Sequence, residues 1–184
     1  MKKSLISLLA GAALAITSMS AVAQKNPTVG GAPMSANKTI VANAVNSPIH
    51  KTLVAALKAA GLVDTLNGTG PFTVFAPTDD AFAKLPAGTV DTLVMPENKA
   101  TLTKILTYHV VPGKISSKML IRMIKKGKGT YSAATVESGK LTFTMDGTKI
   151  KVTDEKGGSA LITTADVFQS NGVIHVIDTV LMPS

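Results

Sequence analysis

Few side chains in this sequence are spaced for catalysis or metal binding. Asp79 and Asp80 are adjacent, so on a helix their carboxylates would diverge and could not readily share a proton. The histidines, His50, His109 and His175, lie far apart, without the short spacings of a metal site. There is no cysteine, which excludes thiol catalysis and thiolate zinc sites. With neither a nucleophile elbow nor a phosphate-binding glycine loop, the sequence predicts no enzyme, no cofactor and no metal.

Cationic residues cluster in one stretch that predicts an amphipathic helix, capped by Ser116 or Ser117 and ended by Gly127. Its cations recur at helical spacing on one face: Lys118, Arg122, Lys125 and Lys126. Apolar residues share the other face: Met119, Leu120, Met123 and Ile124. Such a helix can contact an anionic surface or line an apolar cleft. The alternative is a helix that packs on the core and leaves its lysines solvated.

The charge of the whole chain points to the same class of partner. The formal net charge is +8, with 19 Lys and Arg against 11 Asp and Glu. A basic exported protein can meet lipopolysaccharide, acidic polysaccharide or phospholipid head groups, although charge can also serve solubility alone. Nucleic acid is not expected as a partner, because the chain has no Trp and few aromatic residues on which bases could stack.

The first residues predict export. Residues 1–23 have a positive start, an apolar stretch and a small-residue cleavage site, as in a secretory signal peptide. No other stretch is apolar enough to span a membrane, so we expect no transmembrane segment after signal removal and a periplasmic or secreted protein. Residues 24–37 contain Pro and Gly without an apolar period and predict a linker or a loosely docked N-terminal arm. Residues 38–184 then form one domain.

Helical patterns fill the first half of this domain and alternating patterns the second. Ser47 and Pro48 are typical of a helix start, and Thr78 can cap a short helix. Asp146-Gly147 lies between two alternating runs and predicts a hairpin. One strand follows Gly70-Pro71 and another follows Asn171-Gly172. This arrangement predicts an α+β fold and not a repeating βαβ unit.

Three segments in order resemble one known family. Residues 72–82 (FTVFAPTDDAF), 108–113 (YHVVPG) and 171–181 (NGVIHVIDTVL) are similar to the signature blocks and the Tyr-His segment of fasciclin domains. The resemblance covers about residues 38–183. It implies a wedge-shaped β-sandwich with several helices packed on one side. It also implies extracellular or cell-surface work, usually adhesion or matrix association.

The resemblance also singles out candidate binding residues. In animal members the Tyr-His pair is implicated in integrin binding, which would carry over to Tyr108 and His109. Asp166 lies where those members have an Asp-Ile adhesion motif, although Val167 replaces the Ile. The alternatives are structural. Tyr108 and His109 could be buried and hydrogen-bonded between a helix and a strand, and Asp166 could cap a short turn.

These observations lead to three hypotheses from different classes. The first is an exported, non-enzymatic binding module for cell adhesion or surface and matrix association, with a surface protein, matrix protein or polysaccharide as its partner. The second is a carrier of a small lipophilic ligand such as a carotenoid, which some members of the family hold. Met119, Met123 and the arm at residues 30–34 could close over such a ligand. An envelope enzyme is the minority hypothesis, since scattered residues can converge in space.

Overall fold

The structure, a computed structural model, describes residues 26–184, so the predicted signal peptide lies outside the described residues. The helices of this part are α1 Ile40–Asn46, α2 Lys51–Ala60, α3 Val63–Asn67, α4 Asp79–Ala83, α5 Thr89–Leu93, α6 Lys99–Tyr108 and α7 Ser117–Lys126. Its strands are β1 Thr28–Val29, β2 Ala32–Pro33, β3 Phe72–Pro77, β4 Val110–Pro112, β5 Thr130–Ala134, β6 Lys140–Asp146, β7 Lys149–Thr153, β8 Ser159–Gln169 and β9 Gly172–Ile177.

Seven strands form one continuous sheet in the order β4-β3-β9-β8-β7-β6-β5. Strands β3 and β9 pair in parallel, and the other neighbours are antiparallel. The two edges approach each other, because the backbone N–H of Val136, just after β5, donates to the carbonyl of Val110 in β4 at 2.8 Å. The sheet thus curls into a near-barrel. Together with the helices packed beside it, this single sheet confirms the α+β prediction.

Two hydrophobic clusters lie on opposite sides of this sheet. One packs α1, α2 and α6 against β3 and β9, through residues such as Leu57, Leu106 and Val176. The other fills the curled sheet and includes Leu120 and Ile124 of α7. Each large side chain buried in this way stabilises the fold by about 1.5–3 kcal/mol. Helix α7 is therefore attached to the sheet by its apolar face.

Local capping signals explain several element boundaries. The hydroxyl groups of Thr39, Thr78 and Ser116 each accept the backbone N–H three residues later, at the starts of α1, α4 and α7. Gly61 ends α2 in the left-handed conformation, with a φ of 72°. The Asp146-Gly147 hairpin joins β6 to β7, as predicted.

The start of α2 was predicted incorrectly. The helix begins at Lys51, not at Pro48, and the Ser47 hydroxyl lies 2.7 Å from Nδ1 of His50. The carboxylate of Asp79, from the next signature segment, accepts the N–H of Thr52 at 2.8 Å and also faces the N–H of Lys51. A residue distant in sequence thus supplies the negative charge that the helix start favours.

The N-terminal arm, for which the sequence predicts a linker or a loosely docked segment, packs on the domain in the described residues. Val29 and Met34 are buried in the cluster beneath α1 and α2. Asn26 exchanges two hydrogen bonds with the backbone of Phe168 in β8. The side chain of Asn43 in α1 likewise bonds the N–H and the carbonyl of Ser35. The arm is therefore an integral part of the packed structure.

Candidate binding surface

Tyr108 is fully buried at the end of α6. Its hydroxyl donates to the carbonyl of Lys140 at 2.8 Å and accepts the N–H of Glu155 at 3.1 Å. Burial raises the pKa of this phenol to about 12. The side chain joins α6 to the start of β6 and to the loop after β7, so its position favours the structural alternative.

His109 is also buried, and its two ring nitrogens are both engaged. Nδ1 lies 2.8 Å from the carbonyl of Ile105 and must donate to it, because a carbonyl oxygen can only accept. Nε2 therefore accepts the N–H of Leu181 at 3.0 Å, which defines a neutral ring. Burial lowers the pKa of His109 to about 4. The ring ties the end of α6 to the segment after β9.

The structural alternative predicted that Asp166 caps a short turn, and the structure shows a different position. It lies inside β8, at a register irregularity between Thr164 and Val167, and its φ is 60°. Its carboxylate accepts the backbone N–H of Ser117 at 2.6 Å and the hydroxyl of the same serine. Asp166 therefore fixes the first residue of α7 to the sheet.

The backbone of Asp166 extends this connection to a buried histidine. Its N–H donates to Nδ1 of His175 at 3.3 Å, and Nε2 of His175 donates to the carbonyl of Ile115 at 2.8 Å. Burial lowers the pKa of His175, and its ring stacks on Phe75. Although Ser117, Asp166 and His175 are close, the serine hydroxyl donates to the carboxylate and does not pair with the imidazole. The geometry thus differs from that of a nucleophilic triad.

Helix α7 carries the cluster of cations that its sequence predicts. The four basic side chains are exposed: Lys118, Arg122, Lys125 and Lys126. Within residues 26–184 no carboxylate lies within salt-bridge distance of any of them. Met119 beside them is 46% exposed, whereas Leu120 and Ile124 are buried beneath the helix. The structure brings the cations onto one rigid outer face, away from Tyr108 and His109 in the core.

A groove that the sequence did not reveal runs beside α7. It separates the first turn of this helix from β7 and β8, and the exposed Lys149 contributes to its lining. In the sequence, Lys149 belongs to an ordinary alternating strand pattern. Only the packing of α7 across the sheet shows that this lysine lies beside a groove. In the described part of the chain, no group of three or more His, Asp and Glu side chains is placed to hold a metal ion.

The two signature blocks form neighbouring strands inside the sheet. Residues 72–77 form β3 and residues 172–177 form β9, and the two strands pair in parallel throughout. Residues 48–183 match the fasciclin domain family. The chain belongs to the fasciclin family. The matched range includes both signature blocks, the Tyr-His segment and α7, so the resemblance seen in the sequence is confirmed.

Relatives and a solved structure agree with this assignment. The Synechocystis protein sll1483 is 49% identical over 160 residues, which cover 87% of this fasciclin chain and 82% of the relative. The cell surface glycolipoprotein MPB83 of Mycobacterium bovis is 37% identical over 167 residues, which cover 88% and 68% of the two chains. The FAS1 domain pair of the insect cell adhesion molecule fasciclin I aligns with a TM-score of 0.69 and 22% identity, over 79% of this chain and 51% of that one. The last likeness confirms the fasciclin-like fold.

Among residues 26–184, no helix is both long enough and apolar enough to cross a bilayer.

Proposed function

We propose that this fasciclin protein is an exported, non-enzymatic adhesion module that binds an acidic polysaccharide at a cell surface or matrix through the cationic face of α7. The observation that carries the proposal is the exposure of four cations on one helix, without a carboxylate partner in the described residues. The predicted signal peptide and the relationship to a cell surface glycolipoprotein support the location. Opposite charge on a polymer would supply the attraction.

The rigidity of α7 supports a binding role for this face. The helix is held from below by Leu120 and Ile124 and at its start by Asp166. Its cations are therefore displayed at fixed spacing, and little backbone entropy is lost when a polymer binds. Contact through Tyr108 or His109, in contrast, would require the core to open, so a direct adhesive role for them stays a prediction.

Charge reversal on α7 tests the proposal. The double variant Lys125→Glu/Lys126→Glu should lose binding to an immobilised polyuronate at low salt by at least about tenfold, because local attraction becomes repulsion. The control is Lys58→Glu/Lys99→Glu, which changes the net charge equally at exposed positions on α2 and α6. Equal loss in both variants would mean that only the overall charge matters. Unchanged binding in the α7 variant would refute the proposal.

A second groove favours a second candidate function, the carriage of a small lipophilic ligand. This groove has a volume of about 390 Å³ and lies between α5, α6 and the last residues of the chain. Leu93, Ile105 and Met182 contribute apolar surface, with Lys104 and Lys156 nearby. Its volume falls within the range of small-molecule sites.

The groove is not where the sequence placed the lipophilic site. Val29 and Met34 of the arm join the cluster beneath α1 and α2, whereas Met123 packs against the other cluster. A native mass spectrum and an absorption spectrum of unrefolded protein test the carrier function. An added mass that is extracted by organic solvent and displaced by Leu93→Trp would support it. Protein at the bare sequence mass, without a visible band, would count against it.

A further inference from the structure

The groove beside α7 has the chemistry of a sugar-binding site. It measures about 200 Å³ and lies between Ser117 and Ile121 of α7, the start of β7 and the middle of β8. Hydroxyl, aliphatic and ammonium groups line it together: Ser117, Thr148, Thr163, Ile121, Ile150 and Lys149. Aliphatic side chains can cover the C–H face of a pyranose, while hydroxyl groups match its ring of hydroxyls.

The groove is continuous with the cationic face of α7. Ser117, Ile121 and Lys125 are spaced four residues apart and therefore lie along one stripe of the helix. The first two line the groove, and the third is one of the exposed cations. A polymer that enters the groove at Ser117 can thus continue along the helix towards Lys125.

The charges around the groove favour an acidic sugar. Lys149 is the charged side chain in its lining, and it is exposed. Two carboxylates lie nearby. Asp166 is occupied by its two bonds to Ser117, and Asp146 faces Lys149 across the β6–β7 hairpin. Because the Asp166 carboxylate is engaged by Ser117, Lys149 is the group in the lining that can pair with the carboxylate of a ligand.

We propose that this groove seats one uronate unit of the polysaccharide, with its carboxylate on Lys149 and its hydroxyls against Thr148 and Thr163. This inference rests on the proposed function and adds the class of sugar that the site selects. A heavily sulfated polymer would also satisfy the helix cations and Lys149, but its esterified ring positions could not donate hydrogen bonds to Thr148 and Thr163. The site therefore prefers polyuronates to sulfated polymers of similar charge.

Two groove variants test this preference. Lys149→Ala removes the ammonium group from an exposed position, and Ala165→Leu adds bulk to the lining. Their controls are Lys58→Ala and Ala100→Leu, at exposed helical positions elsewhere. Affinities are measured by calorimetry for a polyuronate oligomer, dextran sulfate and neutral dextran of matched length, with thermal unfolding to verify that each variant is folded.

The expected result is a loss of polyuronate affinity of about tenfold in each groove variant, since a charge-assisted hydrogen bond or a contact surface is removed. Dextran sulfate affinity should change by about twofold or less, and neutral dextran should bind weakly throughout. Equal losses for both polyanions would reduce the groove to a general part of the charged surface. Unchanged polyuronate affinity in Lys149→Ala would overturn the proposal while the charge-reversal result on α7 could still stand.

Discussion

Acid should destabilise this protein through its buried histidines, above all His109. Both ring nitrogens of His109 are used in the neutral form, one to donate to Ile105 and the other to accept from Leu181. Protonation would place a hydrogen on Nε2, opposite the N–H of Leu181, and would leave a charge in the core. Burial accordingly lowers the pKa of His109 to about 4, from 6.5 for a free side chain.

The direction and size of the effect follow from these two pKa values. Because the unfolded chain binds the proton more tightly, acidification favours the unfolded state. The stability that neutral His109 contributes is fully present above the unfolded pKa of about 6.5, and it is lost as the pH falls towards 4. Between about pH 7.5 and pH 5 the loss is about 2 kcal/mol. His50 and His175 also have lowered pKa values because of burial, and they add in the same direction.

Equilibrium urea unfolding at about pH 7.5 and pH 5 measures this loss. The informative variant is His109→Gln, whose amide can accept from Leu181 but does not titrate. We expect it to cost about 1–3 kcal/mol at the higher pH, where a matched hydrogen-bond pair is disturbed. It should then lose about 2 kcal/mol less than the wild type on acidification.

Two results would refute this reasoning. The first is a loss of less than about 1 kcal/mol by the wild type between these pH values. The pKa values of the buried histidines would then differ little between the folded and the unfolded state. If His109→Gln had the same pH dependence as the wild type, another group would be responsible. A histidine NMR titration of the folded protein would then identify that group.

Three further predictions concern the contacts around the core. Asp166→Ala should destabilise the protein more than Asp166→Gly, by about 1 kcal/mol, because both lose the bonds to Ser117 but only alanine resists a φ of 60°; equal unfolding free energies would contradict the strain. Met34→Ala should cost about 2–5 kcal/mol in urea unfolding, because the side chain is buried, whereas a loosely attached arm would lose almost nothing. Tyr108→Phe should cost about 1–3 kcal/mol and leave polyuronate binding unchanged, since the hydroxyl serves Lys140 and Glu155 inside the protein. If Tyr108→Phe weakened polyuronate binding without lowering the free energy of unfolding, a direct contact between Tyr108 and the polymer would be supported.

Local signals in the sequence explain the parts of the fold that were predicted correctly. Ser116 caps α7 and buried residues recur beneath it, so both its start and its exposed face could be derived. The β6–β7 hairpin is also set by its own turn residues. The cationic surface could be predicted because it depends on one helix alone.

The remaining parts depend on contacts between distant residues. Strand β8 has two register shifts, so its side chains do not alternate evenly and its sequence lacks a clear strand pattern. The start of α2 is set by Asp79, and the arm is held by the backbone of Phe168. The groove beside α7 combines residues from one helix and two strands. None of these arrangements leaves a periodic signal in the sequence.

The parallel pairing of β3 with β9 has a consequence for the order in which this chain can fold. Strand β9, which lies between β3 and β8 inside the sheet, is also the last strand along the described chain. A growing or translocating chain that has not yet delivered residues 172–177 cannot join β3 and β4 to the other strands of its sheet. Pairings between such distant segments are slow to form. For the exported protein proposed above, the complete sheet would thus close only after almost all of the chain has crossed the membrane.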